Sequence, residues 1–270
     1  MIPVFVPSYR RPDAKFLRRS MNQKFPLYVF VRKEEKEAYS WIKARPNTTL
    51  VLISNVSNIG ETRRVMFNYA VHKGFDKIIM LDDDVTRLDL SMVDPKSGKV
   101  KASGNVIGHV EDWRKVLLCW EAIWTDEAML GASYRPFSWS LTEDEIPILR
   151  RSQLQQAVGI NVKAIHKAGL NYQSNDLVGN EDLFLQLECY QKGLECVKTN
   201  AIQYDCPAMG AGTGGCNASE LDSIQQKQHK RVAQFVLACK DPTLIKIAKT
   251  RSGVESIKFN WKAIKFIMED

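Results

Sequence analysis

The chain has 270 residues, 44% of them hydrophobic and 26% charged, a composition that excludes a disordered or fibrous protein and a length that needs no disulfide or structural metal to fold. Its net charge of +7 is gathered at one end, because Ser223 to Asp270 carries ten Lys or Arg against four Asp or Glu and leaves the rest near neutral. No apolar run approaches the roughly 18–20 residues of a bilayer span, and Met1–Pro7 lacks the basic start and small-residue cleavage site of a signal peptide, so a cytoplasmic protein without a membrane is expected.

Along the chain, short apolar runs alternate with amphipathic segments. Ile2–Val6, Leu27–Val31, Thr49–Ile53 and Lys77–Leu81 read as strands; Lys33–Lys43 and Glu61–His72 read as helices, the second ended by Gly74. This alternation predicts a parallel sheet covered by helices, the α/β arrangement of a nucleotide-binding half. The polar stretch 89–108 reads as a loop or exposed hairpin. Glu111–Glu127 is predicted helical, with Trp113, Val116, Leu117, Trp120, Ile123 and Trp124 on a core-facing stripe. Leu130–Trp139 and Ala157–Val162 follow as strands, Leu183–Lys192 as a helix capped by Gly193, and Glu195–Thr199 as a strand. Met209–Gly215 reads as a flexible loop and Glu220–Lys240 as a basic helix. The six cysteines include no C-x-x-C pair, and free thiols are expected.

The segment Ile78-Ile79-Met80-Leu81-Asp82-Asp83-Asp84-Val85 carries the strongest chemical signal. Three carboxylates follow an apolar strand, where ligands bind in open α/β sheets. Adjacent anions repel, and a hard divalent cation such as Mg²⁺ or Mn²⁺ neutralises them while bridging a diphosphate. Asp82-Asp83-Asp84-Val85-Thr86 also fits the D-x-D-x-[TV] of haloacid-dehalogenase-like phosphatases, but that motif follows a first strand, and here at least three strands precede it.

Three further segments point elsewhere. Val4-Phe5-Val6-Pro7-Ser8-Tyr9-Arg10-Arg11-Pro12 resembles the first strand and nucleotide-gripping turn of GT-A glycosyltransferases. Asn58-Ile59-Gly60-Glu61-Thr62-Arg63-Arg64 resembles their N-x-G…R segment, and Gly179-Asn180-Glu181-Asp182-Leu183 their E-D pair. Together with the Asp cluster, which matches their D-x-D, these motifs resemble the TET-associated glycosyltransferases over roughly Met1 to Tyr204. Members of that family are mostly phage enzymes that attach sugars to hydroxymethylated pyrimidines in DNA.

The resemblance implies a GT-A-like α/β sheet with helices on both faces, a UDP-sugar donor, Mn²⁺ or Mg²⁺, and DNA carrying 5-hydroxymethylcytosine as acceptor, in host cytoplasm if the gene is phage-borne. Asp84 and Asp82 are the expected metal ligands and Asp182 the general base of an inverting transfer. Pro7, Tyr9, Arg10, Arg11, Asn58, Gly60, Arg63, Asp82, Asp83 and Glu181 are the expected donor contacts. Acids at a helix start are also favoured by the helix dipole alone, and Asn180 is a plausible cap for that helix. Lys227, Lys230, Arg231, Lys249 and Arg251, in the basic end, are the expected DNA contacts, although a solvated helical face would carry the same charge. Residues 1–217 are expected to form the catalytic domain and 218–270 a basic, mainly helical extension packed on it. The rival readings are a GT-A enzyme with a glycan or small-molecule acceptor and a nucleic-acid-binding protein without catalysis.

Overall fold

A computed structural model of the chain describes residues 1–19, 24–106, 113–136, 141–172, 177, 179–207, 224–249 and 253–269. In chain order the strands are β1 (Val4–Ser8), β2 (Leu27–Arg32), β3 (Thr48–Ile53), β4 (Ile78–Leu81), β5 (Arg87–Val93), β6 (Val100–Ala102), β7 (Met129–Tyr134), β8 (Leu149–Arg150), β9 (Ala157–Ile160), β10 (Cys196–Asp205), β11 (Ile245–Lys249) and β12 (Glu255–Phe259). The helices are α1 (Lys15–Arg19), α2 (Ile59–Lys73), α3 (Ser103–Val106), α4 (Trp113–Ile123), α5 (Val162–Lys167), α6 (Glu181–Gln191), α7 (Ile224–Ala238) and α8 (Trp261–Glu269).

One mixed sheet runs in the order β3-β2-β1-β4-β9-β7-β10-β5-β6, with β8 paired to β10. The predicted parallel half is present: β3, β2, β1 and β4 all run the same way. Beyond β4 the sheet changes character, since β9 is antiparallel to both β4 and β7, and β10 is parallel to β7 but antiparallel to β5. The polar stretch after residue 89 does form a hairpin, of β5 with β6, and β5 joins the main sheet.

Successive side chains of a strand point to opposite faces, and both faces of this sheet are covered. Val4 and Val6 of β1 and Ile79 of β4 pack with Phe16 and Leu17 of α1 and Val116, Leu117 and Trp120 of α4. Phe5 and Met80 pack on the other face with Met66 and Phe67 of α2, Leu183 and Leu187 of α6, Phe235 of α7 and Ile264 of α8. Glu181 to Tyr190 of α6 are buried without interruption because the C-terminal elements cover the side of this helix that the sheet does not. Phe184 meets Phe235 edge-on, and Tyr190 meets Phe259 and Trp261.

Two local expectations are corrected. Lys33–Lys43 is not one helix but two short 3-10 turns, Lys33–Glu35 and Ser40–Ala44, between which Tyr39 turns fully inward. β10 extends well past Thr199 to Asp205, because its second half pairs with β5. The Met209–Gly215 loop lies outside the described residues.

Candidate active site

Strand direction assembles the site. β1 and β4 end at the same edge of the parallel half, and α2 leaves β3 there, so its first turn stands beside the residues that follow β1 and β4. The β1–β4 ladder stops at the Phe5–Met80 pair. Pro7 lies two residues on, facing the same neighbour as Phe5 and lacking the N–H that would continue the ladder. The two strands part there, and the acid cluster fills the gap. Pro7 itself is buried within β1.

Within the cluster the three aspartates have different surroundings. Asp83 is 4% exposed, with Ser8 Oγ donating to Oδ2 at 2.6 Å and Arg11 Nη1 to Oδ1 at 2.8 Å. Ser8 has one proton and spends it on Asp83, so the Tyr39 hydroxyl, 2.9 Å away, donates to Ser8 and in turn accepts from the Arg11 N–H. Each oxygen accepts from one of the chain's own donors, and through them Asp83 braces the turn. Burial pushes its carboxyl up to about 6 against the pull of Arg11 and Ser8. Burial also pushes the Tyr39 hydroxyl up to about 12, which keeps it a proton donor at neutral pH.

Asp84 is the most open of the three, its side chain 31% exposed, and Arg11 Nη1 reaches its Oδ2 at 3.1 Å. Its Oδ1 is buried and has no hydrogen-bond partner among the described residues. Asp82 meets Arg63 Nη2 at 2.7 Å through Oδ1. Burial pushes the Asp82 carboxyl up to about 8, Arg63 opposing and Asp84, Asp182 and Glu181 adding to the rise.

Arg63 joins this cluster to the E-D pair. It is 4% exposed, its Nε lies 3.0 Å from Glu181 Oε1, and its Nη1 pairs with Asp182 Oδ1. The buried Tyr172 hydroxyl donates to the same Asp182 oxygen at 3.1 Å. Both contacts fall on Oδ1, leaving Oδ2 outside them. Burial raises Glu181 despite the opposing pull of Arg63 and, more weakly, of Arg231.

The turn into α6 carries two successive left-handed residues, Gly179 at φ 111° and Asn180 at φ 62°. Asn180 occupies the cap position but makes no side-chain cap hydrogen bond, correcting its expected role. Such a bond requires extended backbone at the cap, which the turn does not supply. Arg231 of α7 packs over this turn, with Nε 2.9 Å from where a Cβ on Gly179 would stand.

The acids fit a divalent cation in part. Among the described residues the ion pairs of Asp82, Asp83, Asp84, Glu181 and Asp182 are with Arg11 and Arg63, five acids against two cations, and Asp84 Oδ1 is an orphaned hard donor there. No three His, Cys, Asp or Glu side chains converge on one point among the described residues. That suits an ion held by one or two carboxylates and completed by substrate phosphate and water.

The remaining predicted residues are dispersed. Asn58 caps α2, its Oδ1 accepting from the Glu61 N–H at 2.8 Å, while Glu61 reaches back to Ser57 N at 2.5 Å. The Asn-x-x-Glu spacing carries a capping signal of its own, and Gly60 is buried in that first turn. Tyr9 is half-buried beneath the guanidiniums of Arg32 and Arg10, 4.0 and 5.0 Å from its ring centre. Lys230 and Lys249 are exposed and Lys227 partly so, Arg231 is turned to the E-D turn instead, and Arg251 lies outside the described residues. Tyr39 and Tyr172 are site residues that no motif announced, recruited by tertiary contact alone, while Ser8 lies in the first motif but has no role assigned by it.

Among solved structures, the chain is similar to 4-diphosphocytidyl-2C-methyl-D-erythritol synthase from Anaerococcus prevotii DSM 20548, with TM-score 0.47 and 7% identity over 86% of this chain and 95% of that one. It is similar also to a candidate nucleotide-diphospho-sugar transferase from Desulfovibrio desulfuricans G20, with TM-score 0.39 and 8% identity over 89% of this chain and 100% of that one. No curated protein matches it. The model of one family, described as TET-associated glycosyltransferase, matches residues 2–214. That match spans most of the chain and contains all four motifs, and the chain therefore belongs to the TET-associated glycosyltransferase family and is a glycosyltransferase.

Proposed function

We propose that this transferase moves a sugar from a UDP-sugar to 5-hydroxymethylcytosine in DNA, with inversion and with a divalent cation. The observation that carries the reading is the meeting, on Arg63, of the acid cluster behind β4 with the E-D pair at the head of α6. It brings a donor-side group and a proton acceptor to one point at the edge of the sheet.

Asp84 and Asp82 would hold the cation, which supplies Lewis-acid neutralisation of the departing diphosphate. Arg11, already joined to Asp83 and Asp84, adds fixed positive charge at the same end. Asp182 takes the proton of the attacking hydroxymethyl group through Oδ2, while Arg63 and Tyr172 hold Oδ1. General-base catalysis of this kind contributes about 10²–10⁴-fold.

The DNA acceptor rests on the family resemblance and on charge. Residues 218–270 are read as a basic extension built onto the catalytic domain 1–217, since Phe235, Phe259 and Ile264 share the core that holds α2 and α6. Lys230, Lys246, Lys249 and Lys258 are exposed on that extension. A hydroxymethyl group on a stacked base reaches so recessed a site only if its nucleotide is extruded, at a cost of a few kcal/mol that backbone contacts must offset.

The deciding experiment is mass spectrometry of digested hydroxymethylcytosine-containing DNA after incubation with a panel of UDP-sugars and Mn²⁺. A hexose or pentose adduct on the modified base is expected. Transfer to a glycan or small molecule with no adduct on DNA would move the acceptor out of nucleic acid.

A further inference from the structure

We infer that Arg63 is a positioning residue that fixes the base carboxylate against the donor-side acid cluster, and does not itself grip the donor. The inference rests on the transferase reading above. Arg63 stands in the second turn of α2, buried to 4% exposure, and each of its three guanidinium nitrogens faces a different carboxylate. Nη2 lies 2.7 Å from Asp82, Nε lies 3.0 Å from Glu181, and Nη1 pairs with Asp182. The fork is turned onto carboxylates of the chain itself, and the Nε–Glu181 approach is an ion pair without hydrogen-bond geometry.

A guanidinium is planar and rigid, so three ion pairs made by one of them define a geometry and not merely a charge balance. Asp82 follows β4 and the E-D pair opens α6, elements separated by about a hundred residues of chain. Among the described residues Arg63 is the side chain in ionic contact with both, and it ties the place where the donor is held to the place where the acceptor loses its proton. It also sets the rotation of Asp182: with Oδ1 shared between Arg63 and Tyr172, the carboxylate presents Oδ2 in one orientation. Lysine would keep the positive charge but satisfy these partners from a single point on a flexible stem.

The test compares Arg63→Lys, Glu181→Gln and Asp182→Asn by sugar transfer, by hydrolysis of the donor without acceptor, and by calorimetric binding of UDP with Mn²⁺. Misplacement of a catalytic group by about 1 Å costs on the order of 10²-fold in rate. Arg63→Lys is therefore expected to lower kcat by about that factor while the Kd for UDP stays within about threefold. Asp182→Asn added to Arg63→Lys is expected to cost far less than Asp182→Asn alone, because groups acting as a unit are not additive.

A fall in UDP affinity matching the fall in kcat, or losses that multiply in the double variant, overturns the inference. Should Arg63→Lys fail to fold, Glu181→Gln decides: it removes the charge paired with Nε and is expected to lower kcat with UDP affinity unchanged, and an unchanged kcat sinks the inference. Donor hydrolysis needs no DNA, so a mistaken acceptor leaves the comparison intact. A wild-type protein that neither transfers nor hydrolyses any nucleotide sugar would remove the transferase chemistry and this inference with it.

Discussion

Arg231 of α7 lies against Gly179, so that a Cβ on this glycine would come within 2.9 Å of the Arg231 Nε and 3.1 Å of its Cδ. The glycine is also held at φ 111°, where side-chain-bearing residues are strained. Gly179→Ala is expected to lose about 1–3 kcal/mol from the backbone conformation and to push Arg231 off the turn. The expected result is a lower thermal midpoint together with a lower turnover. Adding Arg231→Ala removes the clash but not the strain, so the midpoint should recover only in part. Full recovery in the double variant would assign the whole effect to the contact.

Asp84 offers an oxygen that no described donor satisfies, in a cluster already crowded with negative charge. Asp84→Ala is expected to abolish turnover and to weaken UDP binding only when Mn²⁺ or Mg²⁺ is present. Losing one of several like charges should leave thermal stability equal or higher. Calorimetry with and without the metal reads both effects. Wild-type activity in the variant, or in excess chelator, would end the role of Asp84 in metal binding.

For Asp82 the pH dependence of stability has a definite sign. Its folded-state carboxyl is pushed from the ordinary 3.8 up to about 8, so between those values the unfolded chain has released a proton that the folded chain keeps. Stability from this group is complete below about pH 4 and declines as pH rises toward about 8. Asp82→Asn removes the titration. Metal-free denaturation of both proteins should show the variant gaining on wild type as pH climbs from 5 to 8 in steps read by the same urea midpoint. A difference that is flat with pH would mean that Asp82 is ionised throughout.

Lys246 and Lys258 stand directly opposite each other on the β11–β12 ribbon, both exposed. Like charges at paired positions destabilise a ribbon, and a polyanion relieves them. Each phosphate contact contributes about −0.9 to the slope of log affinity against log salt. Replacing both lysines by Ala is thus expected to flatten that slope by roughly one to two units without changing UDP affinity. Lys230→Ala should flatten it by about one unit, whereas Arg231→Ala should act mainly on turnover, since its guanidinium faces the E-D turn. An unchanged slope in the ribbon variant would put DNA on another surface.

How much of this was legible in advance differs from element to element. The strands β1 to β4, the helix α2 with its Gly74 end and the Trp-rich face of α4 follow from periodicity, because each buries a face against the sheet at a fixed spacing. The 3-10 turns around Tyr39 did not, since Tyr39 is drawn into a core assembled from other elements, its hydroxyl meeting Ser8 31 residues earlier. The capping of α2 by Asn58 is legible locally, in its Asn-x-x-Glu spacing to Glu61.

By itself the sequence determined the α/β architecture, the family and the location of the acid cluster at the end of a buried strand, because all three are written in neighbouring residues. Only the tertiary structure decided what each acid does. Asp82, Asp83 and Asp84 are consecutive and chemically identical, yet one meets Arg63, one is enclosed by Ser8 and Arg11, and one keeps an oxygen without a partner among the described residues. Likewise Arg63 and Arg231 are plain cations in the chain, and burial between distant carboxylates or against a left-handed glycine gives them their roles. Ionisation and positioning depend on desolvation and on contacts between residues far apart in the chain, and no spacing along the chain encodes either.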